Sequence, residues 1–547
     1  MKKCLKFTVL FFSVLLLLFS NKSVYAQRDT VDVPYGDNTL VDAVKNNPGK
    51  VLRLTGGTSA EGEGVYVINE TIVSKDGSDL IIIGKKGVYP PPRIINTQND
   101  LWFNSIEVFG DSLYLENIIL IGRSIDKYEQ YRGIIAIRKD NADIHLKNVW
   151  FEFGNYINNM SENITFLAED CMFMNIIDQE GLSLYQRYKN TEGHYIFRNC
   201  SFVNSDGLCL YSKKLAAPHN FTVDHCTFYR ILEGVQGGGQ FIENVNWKNN
   251  LFVDVAFSPY SKKYGDIYGM LDSDAIPPSI FDIDTVRSTI NMDRSFSISN
   301  NVIWRSPEVD AFYSASLPAD DIAVYEFLNA RSLNMIDILP KAKAENNILF
   351  TEDPNFVQGI PFTDPSWELA KTRIVEKFNN NKIRPKWHWL VDDTPDIDWD
   401  YKVWPYPLDL KPQNEKLWTA GDDGFPVGDL NWFPDNVKAD YLKYLDTVTV
   451  GIVNKNPEIV LDYSLAQNYP NPFNPTTNIR FSIPQNGIVS LKVFNVLGEE
   501  VTELVNKELS SGTYNVDFDA SKLNSGIYFY TLSSGNFVQT KKMMLLK

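Results

Sequence analysis

The segment Phe197-Arg-Asn-Cys-Ser-Phe202 contains the short pattern on which the fold prediction rests, a polar residue flanked on both sides by strand-forming residues. The pattern recurs around these central residues: Asn117, Asn148, Asp170, Asn199, His225, Asn249, Asn300 and Asn346. The first five gaps are 31, 22, 29, 26 and 24 residues, and the last two, of 51 and 46, are each about two such units. Short strands that recur at this period, without helical spacing, predict a solenoid.

The central residue predicts a sharp corner between two strands. Asn tolerates the left-handed backbone conformation that such a corner needs, and the flanking residues favour strands. Stacked coils place equivalent residues above one another, one strand spacing of about 4.8 Å apart. The sequence therefore predicts an all-β fold, a right-handed single-stranded parallel β-helix with its corner asparagines in one line.

Three cysteines directly follow a central residue of the repeat, at Cys171, Cys200 and Cys226. Stacked coils would place them above one another, so we expect an inward ladder of small apolar side chains. A disulfide or a metal site is the alternative, although no CxxC or Cys/His spacing supports one. No residue is therefore assigned as a metal ligand.

Residues 1–26 have the order of a secretory signal peptide, with lysines, an apolar run from Phe7 to Phe19, and a small residue at Ala26. No later segment approaches the roughly 20 apolar residues that a membrane span needs. Removal of residues 1–26 takes away four lysines and no acidic residue, which moves the formal net charge from -16 to -20. This charge argues against nucleic acid as a partner, because phosphate binding needs clustered Lys and Arg.

The residues before the first repeat predict a cap. Asn38 precedes a stretch with helical apolar spacing, Thr39 to Val44, and residues 49–54 favour a strand. Such a helix would cover the open end of the stack. This opening and the Asn-Cys-x-Phe repeats resemble the pectate-lyase superfamily, over about Thr30 to Val357. The resemblance implies a β-helix over residues 27–357. It leaves the activity open, because the superfamily includes pectate, alginate and chondroitin lyases as well as binding and adhesion proteins.

Residues 358–461 contain seven of the eleven tryptophans, many prolines, and acidic pairs such as Asp422-Asp423. We predict a capping or linker region that buries its aromatic residues against the end and side of the β-helix. The alternative is a sugar-stacking platform, because aromatic faces suit pyranose rings and acidic loops suit Ca²⁺. Ca²⁺ is thus the one cofactor candidate, and no diagnostic motif supports it.

Residues 462–547 form the last predicted domain. Short segments such as 479–483 favour strands and are bounded by Pro, Asn and Gly, which predicts a small antiparallel β-sandwich. Three motifs closely resemble the C-terminal sorting domain of type IX secretion substrates: Asn468-Tyr-Pro-Asn-Pro-Phe-Asn-Pro475, Leu497-Gly-Glu-Glu-Val501 and Gly526-Ile-Tyr-Phe-Tyr530. The resemblance implies export through both membranes by the type IX secretion machinery, followed by release or surface anchoring.

Four segments of the sequence begin at a comparable glycine, and aligning them on that glycine predicts a ladder of polar residues. The glycines are Gly133, Gly181, Gly207 and Gly234. Six positions after each glycine stands a polar residue: Lys139, Arg187, Lys213 and Gln240. Strand alternation would put Tyr185 and Tyr211 on the same outward side as Arg187 and Lys213. Such a basic and aromatic stripe on an acidic protein predicts binding of an acidic polysaccharide. The alternative is a solvated sheet face whose cations pair with carboxylates.

Motifs of the common catalytic classes, such as a Walker loop, HExxH or Gly-x-Ser-x-Gly, are absent from the sequence. His225 stands at a corner of the repeat and is interpreted as a turn residue. The superfamily's lyases use β-elimination, in which a cation neutralises the uronate carboxylate and a base removes the neighbouring proton. Two hypotheses remain. The first is a secreted or surface-attached protein that recognises an acidic polysaccharide and, if it is a lyase, cleaves it by β-elimination. The second is a non-catalytic adhesin or structural surface protein.

Overall fold

The structure is a computed structural model. It describes residues 28–55, 64–88, 91–98, 103–124, 134–152, 157–159, 161, 163–175, 180–184, 193–205, 208–212, 219–232, 235–237, 242–257, 260–261, 280, 294–320, 322–324, 326–363, 367–368, 370–372, 374–375, 408–450, 464–465, 468, 471, 473–483, 487–496, 498–509, 512–521, 523–535 and 537–546. The chain divides into two compact units, residues 1–438 and 439–547.

The first unit is a parallel β-helix whose main sheet spans two adjoining faces. Its strands are β1 (Thr30–Val33), β2 (Gly36–Asp37), β3 (Val51–Leu54), β4 (Val65–Ile68), β6 (Asp79–Gly84), β7 (Arg93–Asn96), β9 (Ser112–Ser124), β11 (Asp143–Glu152), β13 (Thr165–Glu169), β14 (Met172–Met174), β16 (Gly193–Arg198), β17 (Ser201–Ser205), β19 (His219–Asp224), β20 (Thr227–Ile231), β22 (Ile242–Lys248), β23 (Leu251–Val255), β25 (Ser295–Ser299), β26 (Val302–Trp304), β28 (Lys341–Glu345) and β29 (Ile348–Leu349). The long strands β9 and β11 run through the corner and belong to both faces.

The third face is a parallel sheet of seven strands. They are β5 (Ile72–Ser74), β8 (Ile106–Val108), β10 (Ile135–Ile137), β12 (Ile157–Asn159), β15 (Glu180–Leu184), β18 (Leu208–Ser212) and β21 (Gln236–Gly237). Other described elements that precede the sorting motifs are β24 (Tyr260–Ser261), β27 (Ile322–Ala323), β30 (Phe356–Gln358), β31 (Asp409–Pro412), the helices α1 (Thr39–Asn46), α2 (Pro307–Ser316), α3 (Ala330–Ile338) and α4 (Asp435–Val450), and the 3-10 helices Glu415–Thr419 and Leu430–Trp432.

The predicted corner residues form one line, here called the first corner line. All eight have a left-handed backbone, with φ between 50° and 59°. The register is direct: the pairs on either side of Asn148 match those on either side of Asn117, and Asn148 Nδ2 donates a hydrogen bond to Asn117 Oδ1 at 2.8 Å. The predicted stacking at this corner is therefore confirmed. A second corner line, which the sequence analysis missed, lies five residues later, at Asn175, Asn204, Arg230 and Asp254, where φ is 49° to 59°.

The interior of the β-helix contains a column of stacked phenylalanine rings. Its members are Phe151, Phe173, Phe202, Phe228 and Phe252. Successive ring centroids are 4.7 to 5.0 Å apart and the ring planes differ by at most 15°. The separation equals the spacing of parallel strands, so one Phe per coil at a fixed offset from the corner produces the column.

The inward position directly after the first corner line holds the predicted cysteine ladder. Cys171, Cys200 and Cys226 are buried free thiols, which confirms the apolar interpretation over a disulfide. In later coils, buried asparagines take the same position: Asn250 Nδ2 donates to Asn301 Oδ1 at 2.9 Å. An amide can stand in this core because each one is hydrogen-bonded to the next coil.

Helices close both ends of the β-helix core. Leu40 and Val41 of α1 join the core at the first coil, as predicted, while Met335 and Ile336 of α3 join it at the last. Asn38 does not cap α1 with its side chain. Its backbone is left-handed, with φ 57°, and its Oδ1 accepts a hydrogen bond from Asn69 N at 3.0 Å. Buried ends protect the stacked interior from water and from further strand addition.

Residues 408–433 pack on the outer side of the main sheet. Leu410, Leu417 and Val427 form one apolar cluster with sheet residues, and Trp432 packs against that cluster. Trp367 is buried in a separate cluster. Four tryptophans of this region, Trp387, Trp389, Trp399 and Trp404, lie outside the described residues. The aromatic residues that are described thus pack against the protein itself rather than presenting a stacking platform.

The second unit contains two small antiparallel sheets. One has three strands, β32 (Ser464–Leu465), β33 (Thr476–Ile483) and β36 (Gly512–Asp519), and the other has four, β34 (Gly487–Phe494), β35 (Glu500–Leu509), β37 (Gly526–Ser534) and β38 (Phe537–Leu545). Side chains of both sheets, among them Phe481 and Tyr530, share one core. The predicted fold class, a parallel β-helix followed by a small antiparallel β-sandwich, is confirmed.

Candidate functional site

Lys139 is the one cation of the predicted stripe that lies among the described residues. It follows the last residue of β10 by two positions. Its Nζ lies 2.5 Å from Asp76 Oδ1 and 3.7 Å from Asp111 Oδ1. These carboxylates raise the pKa of Lys139, and Lys139 in turn lowers the pKa of Asp76. Lys139 is thus already neutralised within the protein, which matches the alternative of a paired, solvated cation.

The strand register of the seven-stranded sheet differs from the alignment on glycines. Tyr211 pairs with Ser183, whereas the glycine alignment pairs it with Tyr185. The alignment is therefore wrong by two residues between β15 and β18, and by one residue between β18 and β21. The reason is that Gly181 lies inside β15, whereas Gly207 precedes β18, so the glycines do not mark equivalent positions.

Four residues of the predicted stripe lie outside the described part of the chain: Tyr185, Arg187, Lys213 and Gln240. Their role stays a prediction. In sequence, Arg187 follows the end of β15 by three positions and Lys213 directly follows β18. Both strands belong to one parallel sheet with β10, so the ends of all three strands lie at the same edge of that sheet.

The position directly before each residue of the first corner line is charged in six successive coils, and the sign of the charge alternates from coil to coil. These residues are Glu116, Lys147, Glu169, Arg198, Asp224 and Lys248. Arg198 Nη1 lies 3.0 Å from Glu169 Oε1, and His145 Nε2 lies 3.3 Å from Glu169 Oε2. Although burial by itself raises the pKa of Glu169, these two partners hold it at about 2. Opposite charges on neighbouring strands stabilise the sheet and fix its register.

His225 is the most enclosed titratable group of the first corner line. It is fully buried. Its Nδ1 lies 2.9 Å from Asp224 Oδ1, and its Nε2 lies 3.5 Å from Asp423 Oδ2. Burial alone lowers the pKa of His225, but the two carboxylates outweigh it and raise the value to about 9. An enclosed imidazolium that is charged at neutral pH cannot take a proton from a substrate, so His225 is a turn residue and an electrostatic clamp.

The clamp holds a segment that we call the strap, residues 421–433, along the first corner line. Gly428 N donates to Asn249 O at 2.8 Å, and Asn431 Nδ2 donates to Asn199 O at 2.8 Å. Gly428 has φ 87° and approaches the β-helix so closely that a Cβ there would collide with it. The strap thus bonds the corner backbone of the two coils on either side of the His225 coil and covers this part of the corner line.

Asp429 is the buried acid at the centre of the strap. Its Oδ1 accepts a hydrogen bond from Asn431 N at 2.9 Å, and its Oδ2 lies 2.7 Å from Ser201 Oγ. Trp432 Nε1 also donates to Ser201 Oγ, at 2.7 Å. Burial raises the pKa of Asp429 to about 8, so it is protonated at neutral pH. A raised pKa is typical of a general acid, but only 3% of Asp429 is exposed, which leaves it a structural role.

The arrangement along the first corner line therefore joins segments of the chain rather than exposing a reactive group. The sequence analysis missed the roles of Asp423 and Asp429. The sequence does contain a signal for Asp423, because an acidic pair stands in the Trp-rich region while His225 occupies an asparagine position of the repeat. In the described part of the chain, no group of three or more His, Cys, Asp or Glu is arranged to hold a metal ion. The Ca²⁺ hypothesis thus has no site among these residues.

The second unit is the part of the chain that comparison with known proteins identifies. Its described strands cover the segment in which the sequence motifs lie. Residues 467–546 match the family of secretion system C-terminal sorting domains. The sorting domain indicates export by the type IX system to the cell surface or the extracellular space, as predicted. This family match concerns how the protein is delivered. It does not extend to the residues of the β-helix.

The β-helix itself has no such assignment. No curated protein matches the chain, and no pectate-lyase family matches it either. None of the helices in the described ranges is long and apolar enough to cross a membrane.

Proposed function

We propose that the β-helix recognises an acidic polysaccharide at the edge of the seven-stranded sheet where β10, β15 and β18 end. The observation that supports this is positional. Each of the three strand ends is followed within three residues by a cation, Lys139, Arg187 or Lys213. Such a local concentration of positive charge on a protein with a net charge of -16 attracts a polyanion to one place.

Within this proposal, Arg187 and Lys213 carry the interaction. Lys139 contributes less because Asp76 and Asp111 already neutralise it. A guanidinium binds a carboxylate through two parallel hydrogen bonds, and an ammonium adds a point charge. A uronate polymer presents one carboxylate per sugar, so several cations at one edge of a sheet suit it.

Recognition, rather than cleavage, is the core of the proposal. A lyase needs a base beside the proton that it removes and a cation beside the carboxylate. Two described groups with strongly shifted pKa values, His225 and Asp429, are buried beneath the strap and cannot reach a substrate.

The test is retention of the mature protein on immobilised polygalacturonate, alginate and chondroitin sulfate in a salt gradient. The double variant Arg187→Ala/Lys213→Ala should elute at lower salt than the wild-type protein, because ionic contacts are screened. The matched control is Lys416→Ala/Lys443→Ala, which changes the charge equally at surface ion pairs with Glu352 and Asp440. Equal elution of the two double variants would refute the proposal.

The second candidate is a non-catalytic adhesin or structural surface protein. It is favoured by the strap, which seals a corner line with hydrogen bonds instead of leaving it open to a ligand. Wild-type protein that flows through all three columns, and releases no unsaturated products from the three polymers, would support this candidate over the first.

A further inference from the structure

The interior column of phenylalanine rings continues to an exposed leucine at the last strand of the main sheet. In the strand register, Phe252 pairs with Ile303, and Ile303 pairs with Leu349. Ile303 still packs against the core, whereas Leu349 is 73% exposed. A large apolar side chain at an inward position of a coil is normally buried. The apolar interior is therefore open to another apolar surface at Leu349.

The capping helix α3 covers only one side of this last coil. It packs against β28 and contributes Met335 and Ile336 to the core. Leu349 belongs to β29, on the other side of the corner, and its neighbour Ile348 is exposed as well. We call Ile348 and Leu349 the strand patch.

The helix that forms the cap also exposes apolar side chains. Leu333 and Ile338 of α3 lie outside its buried side and are exposed; we call them the helix patch. The same end of the β-helix thus carries two small apolar patches, one on a helix and one on a strand. Exposed apolar residues that gather at one end of a molecule indicate an interaction surface.

The charges at this end indicate what the partner is. Four charged residues are exposed there, and their signs balance: Asp337 on α3, and Lys341, Lys343 and Glu345 on β28. The whole chain has a net charge of -16, so two copies repel each other in general. That repulsion is weakest at a surface where acidic and basic residues balance, and both signs are available to pair across a contact. The balance favours a second copy of this chain over a strongly acidic or strongly basic partner.

We propose that this end of the β-helix binds the same end of a second copy through a two-fold symmetric contact. The helix patch of each copy packs on the strand patch of the other, because a two-fold axis makes every contact occur twice. The contact then has an apolar centre and a rim of balanced charges, which is the usual arrangement of an interface. This inference goes beyond the proposed function and does not depend on polysaccharide binding at the strand ends.

The test is analytical ultracentrifugation of the mature chain, residues 27–547, over a concentration series up to about 100 μM. We expect a dimer that dissociates on dilution. Leu349→Asp should weaken dimerisation at least about tenfold, because it places a charge in the apolar contact. The matched control is Ile488→Asp in the sorting domain, where Ile488 is 70% exposed, and it should leave dimerisation unchanged. Circular dichroism verifies that each variant is folded.

A complementation experiment tests the two-fold arrangement itself. Leu333→Lys and Leu349→Asp should each weaken dimerisation, because every homodimer then carries a defect in both of its contacts. A mixture of the two variants should dimerise more strongly than either alone, since one contact is intact and the new lysine and aspartate face each other in the other. A wild-type chain that stays monomeric throughout the series, assemblies larger than a dimer, unaltered dimerisation of Leu349→Asp, or a mixture no stronger than its components would overturn the proposal.

Discussion

The replacement Asp429→Asn should stabilise the protein at alkaline pH and leave it unchanged at acidic pH. Burial raises the pKa of Asp429 to about 8, whereas a carboxyl in an unfolded chain titrates near pH 3.9. Because the pKa of Asp429 is raised in the folded state, its protonated form stabilises the fold fully below about pH 3.9. This stabilisation is lost as the pH rises through about 8.

The magnitude follows from the two pKa values. A difference of about 4 pKa units corresponds to on the order of 5 kcal/mol in the free energy of unfolding. This is an upper limit, since loosening of the strap lets water reach the carboxylate. An asparagine reproduces the protonated acid, because its Oδ1 accepts from Asn431 as Asp429 does and its Nδ2 faces Ser201 Oγ. The variant therefore does not lose stability as the pH becomes alkaline.

The assay is urea unfolding followed by tryptophan fluorescence at pH 4, 6, 8 and 9. The difference between variant and wild type isolates Asp429, because His225 titrates in both proteins. Asp422→Asn is the matched control, since it makes the same change on an exposed carboxylate of the same strap and should have little effect. A variant that is less stable than the wild type at pH 9 would show that Asp429 is ionised and held by its hydrogen bonds, which would refute the argument from burial.

Three other changes have defined outcomes. Asp423→Asn removes one of the two carboxylates that raise the pKa of His225. A histidine whose pKa is raised in the folded state stabilises the fold fully below about pH 6.5, and this stabilisation is lost as the pH rises through about 9. In urea unfolding the variant should therefore lose about 1–2 kcal/mol of stability at pH 6 and nothing at pH 10. Asn301→Ala interrupts the buried amide ladder and should lower the free energy of unfolding by about 1–3 kcal/mol, with an unchanged native circular dichroism spectrum. Deletion of residues 464–547 should retain the protein in the periplasm with an intact β-helix, and immunoblotting of cell fractions that finds the truncated chain outside the cell would contradict this.

Much of the fold could be predicted from the sequence because its cause is local. Asn117, Asn148 and Asn199 recur at the coil period, and each adopts the left-handed corner conformation that asparagine tolerates. The sorting motifs lie on contiguous antiparallel strands. Both signals depend on residues close in sequence, so they can be read without knowledge of contacts.

The candidate sites could be predicted only in part. Lys139 was predicted to belong to the stripe, whereas its partner Asp76 stands 63 positions away and cannot be found by counting along the chain. The register between β15 and β18 was missed because the turns between coils differ in length, and only backbone hydrogen bonds decide which residues stack.

The sequence by itself determined the corners, the strands between them and the delivery of the protein, because backbone preference and motif order are properties of short segments. The tertiary structure decided what those corners contact. Ser201 meets Asp429 across 228 positions, and Asn249 meets Asp422 across 173. Arg230 gains its aromatic surroundings from a segment far along the chain, at Phe362. Such contacts form only when the coils are stacked and later segments pack on them, so no local pattern encodes them.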